Sequence, residues 1–154
     1  MKLQILAVGP SKSGPEHDLV TDYAKRFSAM AGPLGLSGLD INTVKSGGGL
    51  IREGERILSK LPEKARILRL DEHGPAWPSV KLSEKIAHWR DDGERALVFL
   101  IGGAEGYSPA VKQACPQTLA LGPQTWPHML VRVMIAEQIY RSASILARTP
   151  YHKA

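Results

Sequence analysis

The chain has 154 residues, 43% of them apolar and 23% charged, with a formal net charge of +5 and a pI near 9.5. Those values describe one ordinary globular domain over residues 1–154, large enough to bury a core without covalent staples. A single cysteine, Cys115, excludes an intramolecular disulfide and a cysteine-based zinc site from one chain, while the basic balance admits a polyanion such as RNA without requiring one.

Apolar runs alternate with helical patterns along the chain, which predicts an α/β fold. Lys2–Val8 reads as a strand stopped by Gly9-Pro10, too short and too soon broken to serve as the apolar core of a signal peptide. Glu16–Met30 reads as a helix with Leu19, Val20, Tyr23 and Phe27 at helical spacing, and Ala31–Gly38 as loop. Leu39–Val44 follows as a strand, Ser46–Gly49 as a flexible connection, and Leu50–Lys60 as a helix with Ile51, Gly54, Ile57 and Leu58 on one face.

Ala65–Leu70 is the next expected strand, ended by Asp71. Ser79 is a suitable N-cap for a helix through Arg90 with Leu82, Ile86 and Trp89 as its apolar stripe. Ala96–Ile101 is continuously apolar, as a central parallel strand should be. After Gly102–Gly106, Ser108-Pro109 marks an N-cap and first helical turn. Thr118–Leu121 reads as a short strand, Gly122–Pro127 as loop, Met129–Ala147 as a long helix and Arg148–Ala154 as a polar tail. Arg132, Glu137 and Arg141 interrupt the long helix, so it is not expected to span a membrane. It is apolar on most of its circumference, so it is either central or packed on another subunit; a dimer interface is expected.

Three loops share one placement, each following the C-terminal end of a strand: after Leu70, after Ile101 and after Leu121. Ligands of open α/β sheets bind outside those ends, and glycine there allows close approach to backbone groups. The plain alternative is that each loop is only a turn. Gly102–Gly106 is neither the G-x-G-x-x-G fingerprint nor a P-loop, so dinucleotide and ATP readings lack support. None of the five histidines stands in zinc-ligand spacing, and no metal is expected. His88 is expected at the surface, Cys115 in packing, and His128 at a helix start where it either fixes the junction or serves the site. Arg132 and Arg141, nine residues apart, are expected to point to within one face's width of each other. They either pair internally, as Glu137–Arg141 at i,i+4, or meet phosphate or a developing anion.

Four segments together resemble the bacterial ribosomal large-subunit pseudouridine N3-methyltransferases of the SPOUT superfamily: Leu100–Gly106, Pro127–Val133, Glu137–Arg141 and Pro150–Lys153, with Met1–Gly9 also similar. The likeness runs over essentially the whole chain, and the order and spacing of the four are what make it specific. It implies a SPOUT-type α/β fold with a mostly parallel sheet and a C-terminal trefoil knot, a rare exception to unknotted topology. It implies a homodimer that uses S-adenosyl-L-methionine to methylate N3 of a pseudouridine in 23S rRNA, on assembled ribosomes in the cytoplasm. Carried over position by position, cofactor contacts fall on Leu70, Gly102, Leu121, Gly122, Pro123, Gln124, Thr125 and Trp126. Ala104 stands where such proteins commonly have proline, Lys153 where arginine is common, and Gly122–Gln124 and Trp126 depart from the usual loop.

Pseudouridine N3 carries a proton at neutral pH, so a base is expected near the target. Tyr151 or His152 in the tail is the candidate to remove or relay it, and Arg132 or Arg141 to stabilise the resulting anion. Lys2, Lys12, Lys25, Arg26, Lys45 and Arg52 make the N-terminal half basic and are candidates for RNA contact. Two other readings compete: a ribosome-associated RNA-binding factor without catalysis, and a nucleotide-dependent enzyme of another α/β class.

Overall fold

The structure, a computed structural model, describes residues 1–11 and 13–153; the candidate RNA contact Lys12 and the last tail residue, Ala154, lie outside the described residues. Five parallel strands form one sheet in the order β2-β1-β4-β3-β5, with β1 at Lys2–Val8, β2 at Ser37–Val44, β3 at Arg66–Leu70, β4 at Ala96–Ile101 and β5 at Thr118–Leu119. The α/β expectation holds. β1 and β4 are inner strands with side chains almost wholly buried on both faces, which is why β4 reads as an unbroken apolar run and β1 as one interrupted by the buried Gln4.

Helices cover both faces. On one lie α1 (Pro15–Ala31), α3 (Ser79–Asp91) and α5 (His128–Leu146), packed over Phe27, Ile86, Phe99, Ile135 and Ile139. On the other lie α2 (Leu50–Lys60) and α4 (Pro109–Ala114), over Leu6, Ile57, Val98, Leu100 and Val111. Steps β1→β2 and β3→β4 run over the first face, and β2→β3 and β4→β5, in the opposite direction, over the second. One crossover handedness therefore serves all four. Every strand ends at the same edge, so the loops after β1, β3, β4 and β5 meet there.

Several expectations need correction. Leu19 is 45% exposed and Ile51 is 72% exposed; neither belongs to its helix's buried face. Val20 and Phe27 carry that face in α1. Ile51 lies in the first turn of α2, one turn before Gly54, the residue that touches Ser108 and Val111 of the α4 region. The stretch after α1 is not all loop: Gly32–Leu34 forms a 3₁₀ turn, Gly35 takes a left-handed φ of 70° at its end, and β2 begins at Ser37. Ser79 does not cap α3. The helix starts on it, Pro78 precedes it, and its hydroxyl donates to Gln138 Oε1 of α5 at 2.7 Å. Ser108 behaves as expected, accepting the Val111 N–H at 3.3 Å.

Candidate functional site

The three expected loops do converge. Residues from the ends of β3, β4 and β5 line one cavity of about 620 Å³, a size usual for a small-molecule site. Leu70, Gly102, Leu121, Gly122, Gln124, Thr125 and Trp126 are all among its lining, whereas Pro123, the eighth expected contact, is exposed and is not. The cavity walls are apolar at Leu70, Ile101, Leu119, Leu121 and Val131. Asp71, Glu72 and Glu105 are in its lining alongside one lysine, Lys112, with the Asp71 carboxylate already paired with Arg69. That excess of negative charge favours a ligand carrying positive charge.

Each wall has a local cause. β5 and the bridge Ala120↔Ala76 bring the Leu121–Trp126 loop beside the loop after β3, where Thr125 donates to Glu72 at 2.7 Å. Gly122 takes a φ of 104°, which favours glycine. The Trp126 indole is 39% exposed and tied back by its N–H to the Leu121 carbonyl at 3.1 Å. Gly102 and Gly103 allow a close approach of the third wall: a Cβ on Gly102 would stand 2.8 Å from the Tyr107 ring, and one on Gly103 2.8 Å from Glu53 Oε1.

Tyr107 is a cavity-lining residue that sequence reasoning missed. Its hydroxyl accepts the Gly102 N–H at 2.9 Å and turns its own hydrogen to Leu70 O at 2.8 Å, with Leu100 O at 3.0 Å. Burial pushes its pKa above the ordinary tyrosine range, so it stays a neutral donor. Arg69 stacks over its ring, bonds Cys115 O at 3.1 Å and pairs with Asp71 at 2.8 Å. The His73 backbone N–H, then Arg69, hold the Asp71 carboxyl below its ordinary range against the opposing effect of burial. The available signal was an aromatic closing a glycine-rich loop immediately before a helix cap.

The four candidate catalytic residues divide into two groups. Arg132 is 2% exposed and points to the end of β1: its guanidinium donates to Val8 O and Gly9 O at 3.0 Å each and to His128 Nε2 at 2.8 Å. His128 itself lines the cavity. Arg141, Tyr151 and His152 come together elsewhere, around Glu137. Its Oε1 accepts from Arg141 at 2.7 Å and from the Tyr151 hydroxyl at 2.9 Å, and His152 Nδ1 lies 3.2 Å from the Arg141 guanidinium. Tyr151 also packs edge-on against Tyr140 and under Arg141. The tail reaches this position because Arg148 takes a left-handed φ of 56° after α5 and turns the chain back.

The two arginines therefore do not share a face. Nine residues at about 100° each amount to two and a half turns, which puts them on opposite sides of α5. The i,i+4 pairing of Glu137 with Arg141 is present. Tyr151, His152 and Arg141 are not part of the first cavity's lining. Glu137 belongs to a second cavity, of about 480 Å³, beside Tyr23, Trp77 and Gln138, and segment 119–122 is the wall common to both.

Of the basic candidates, Lys2 pairs with Asp40 at 2.7 Å and Arg26 with Asp22 at 2.9 Å. Lys25, Lys45 and Arg52 form no ion pair among the described residues. His88 is exposed and pairs with Asp92, and Cys115 is buried in packing. Among the described residues no three His, Cys, Asp or Glu side chains gather as a metal centre would require, and no helix is long and apolar enough to cross a membrane.

Comparison with known proteins agrees with this picture. The family described as "Predicted SPOUT methyltransferase" matches residues 1–152. The chain is 59% identical, over all 154 residues and the full length of both proteins, to "Ribosomal RNA large subunit methyltransferase H" of Hyphomonas neptunium (strain ATCC 15444). It is 44% identical over 155 aligned residues, 99% of each, to the protein of the same name from Cereibacter sphaeroides (strain KD131 / KCTC 12085). A parallel sheet with a cavity at its strand ends, and a family match over nearly every residue, lead to one conclusion: the chain belongs to the SPOUT methyltransferase family.

Proposed function

We propose that this chain methylates N3 of a pseudouridine in the 23S rRNA of the large ribosomal subunit, with S-adenosyl-L-methionine as donor. The observation that carries the reading is the convergence of three strand-end loops on one acid-lined cavity. The residues fit that donor. Leu70, Ile101, Leu121 and Val131 give apolar walls for an adenine ring, the glycine-rich backbone allows close contact, and Asp71, Glu72 and Glu105 suit a sulfonium and an ammonium.

When bound, the donor would supply an electrophilic methyl group on a sulfonium sulfur, the S–CH3 bond being exchanged for N3–CH3 with a neutral thioether left behind. This chain's contribution is position and charge. N3 must lose its proton for its lone pair to attack, so the proton passes to a side chain or through it to water. Tyr151 and His152 are the proposed carriers, and Arg141 the cation beside the developing anion. All three belong to a Glu137-centred cluster away from the first cavity of their own chain. The reading therefore includes a homodimer in which each tail completes its partner's site. Two large apolar side chains left exposed, Trp126 of the cavity lining and Leu130 in the first turn of α5, favour such an arrangement. Arg132 has its N–H groups committed to carbonyls and to His128, which argues against it as the anion partner.

The trefoil knot belongs to the same proposal, supported by the return of the chain from edge strand β5 to α5, whose Arg132 reaches β1 three strands away. So do the cytoplasmic location and action on assembled ribosomes. The test is transfer of labelled methyl to ribosomes lacking the modification, followed by nucleoside analysis. N3-methylpseudouridine at one 23S position is expected; absence of transfer by folded, donor-saturated protein overturns the proposal.

A further inference from the structure

The chain leaves β2 at the same edge of the sheet as the first cavity, where the Gly9 N–H bonds Val44 O at 2.8 Å and keeps the ends of β1 and β2 level. Residues 45–49 then lead into α2. Gly47, Gly48 and Gly49 take φ of 96°, 81° and 90°, and a Cβ on Gly47 or Gly49 would meet nothing within 4 Å, so there the loop faces open space. Side chains of α2 set its shape. Arg56 donates to Lys45 O at 2.8 Å and to Gly47 O, and Glu53 accepts the Gly47 N–H at 3.3 Å.

Arg52 and Arg56, one helical turn apart, flank Gly48: a Cβ there would stand 3.4 Å from Arg52 Cδ and 3.9 Å from a terminal nitrogen of Arg56. Neither arginine, nor Lys45, forms an ion pair among the described residues. Like charges four residues apart on a helix repel, a cost that a bound anion removes. Glu53 also fixes where the cluster lies. Its Oε1 would stand 2.8 Å from a Cβ on Gly103, a residue of the first cavity's lining, so the three cations sit one side chain away from that wall. α2 covers the sheet face opposite α5, which leaves this edge apart from the helix and tail assigned to the proposed dimer.

We propose that Lys45, Arg52 and Arg56 form a phosphate-binding edge for the rRNA strand that carries the target base. The assignment rests on the function proposed above. Even with Asp71 paired to Arg69, Glu72 and Glu105 outnumber Lys112 in the cavity lining, which disfavours phosphate there. A strand that delivers a base to this mouth must therefore have its backbone held beside the cavity, not within it. The exposed Lys45 and Arg52 meet the phosphates, while the half-buried Arg56 holds the loop and adds charge behind them. Contacts of this kind position a strand without reading its sequence.

The test compares Lys45→Gln, Arg52→Gln, Arg52→Lys and Lys60→Gln with the unaltered homodimer. Lys60 ends α2 at the far side of the sheet and supplies the same change of charge away from the proposed edge. Affinity for unmodified ribosomes and for protein-free 23S rRNA is measured over a range of monovalent salt at constant magnesium, with calorimetric titration of S-adenosylmethionine as the check that the cavity is intact. Lys45→Gln and Arg52→Gln should each weaken binding to both RNAs several-fold and lower the slope of log affinity against log salt by about one, with donor binding retained. Arg52→Lys should keep most of the slope, and Lys60→Gln all of it. The proposal is overturned if the glutamine variants at 45 and 52 leave affinity and slope unchanged, or if Lys60→Gln lowers them as much. A loss confined to ribosomes overturns it as well, since the partner of the edge would then be an acidic ribosomal protein. Failure of the unaltered, donor-saturated protein to methylate unmodified ribosomes overturns the proposed function instead, a result distinct from all of these.

Discussion

The Tyr107 hydroxyl stands 2.9 Å from the Gly102 amide nitrogen and accepts its hydrogen, tying the glycine-rich wall to a buried ring. Because the same hydroxyl donates to Leu70 O, one oxygen sets the spacing between the exits of β3 and β4, and with it the width of the cavity. Tyr107→Phe keeps the ring and its stacking with Arg69 but leaves the Gly102 N–H without that partner. A loss of about 1–3 kcal/mol in stability is expected, the cost of an unpaired buried donor, together with weaker donor binding. Urea denaturation and calorimetry on the same samples check both; unchanged donor affinity would mean the wall is held by other contacts.

Arg132 joins α5 to β1 by donating to the Val8 and Gly9 carbonyls. Arg132→Ala leaves Val8 O, Gly9 O and the His128 ring without it, and a destabilisation of about 3 kcal/mol or more is expected. Arg132→Lys should recover only part, because an ammonium cannot span the same fork. Chemical denaturation measures both. Near-normal stability of the alanine variant would show that water replaces the guanidinium.

Asp71 ties the stability of the β3 exit to pH. Its carboxyl is held below the ordinary range by the His73 N–H and by Arg69, so its folded-state pKa is lower than its unfolded one. The stabilisation is therefore complete above the ordinary aspartate pKa of about 3.9 and is lost as pH falls through it toward the lowered value. Asp71→Asn should be less stable than the unaltered protein at pH 7, by an amount moderated by partial exposure, and the two curves should converge in acid. A gap that persists undiminished at low pH would rule out the charge as its source.

Glu137 holds the tail through Arg141 and Tyr151. Glu137→Ala should free residues after Arg148, seen as faster proteolytic trimming of the C-terminus with little change in donor binding. Methyl transfer should fall, with Tyr151→Phe giving a smaller loss because Tyr140 and Arg141 still pack on its ring. A tail that resists protease in the alanine variant would locate the anchor elsewhere.

The sequence by itself determined the element order, the parallel sheet and the three loops that make the cavity, because strand periodicity, continuous apolar runs and glycines after strands are local signals. Ala96–Ile101 was legible to the residue, since the middle strand of the sheet is covered on both faces and its six side chains are all apolar. Its motifs carried the family as well. Tertiary structure alone decided which side chains meet. Leu19 and Ile51 look like core by spacing yet face outward, because helical periodicity does not say where a neighbour ends. Arg132 and Arg141 look like partners in sequence, but the turn angle of α5 separates them. One is committed to β1 and the other to the tail, contacts made by segments more than 120 residues away in the first case and 10 or 11 in the second. Tyr107 gained its role only where β3, β4 and its own loop converge, a coincidence in space that no spacing in the chain records.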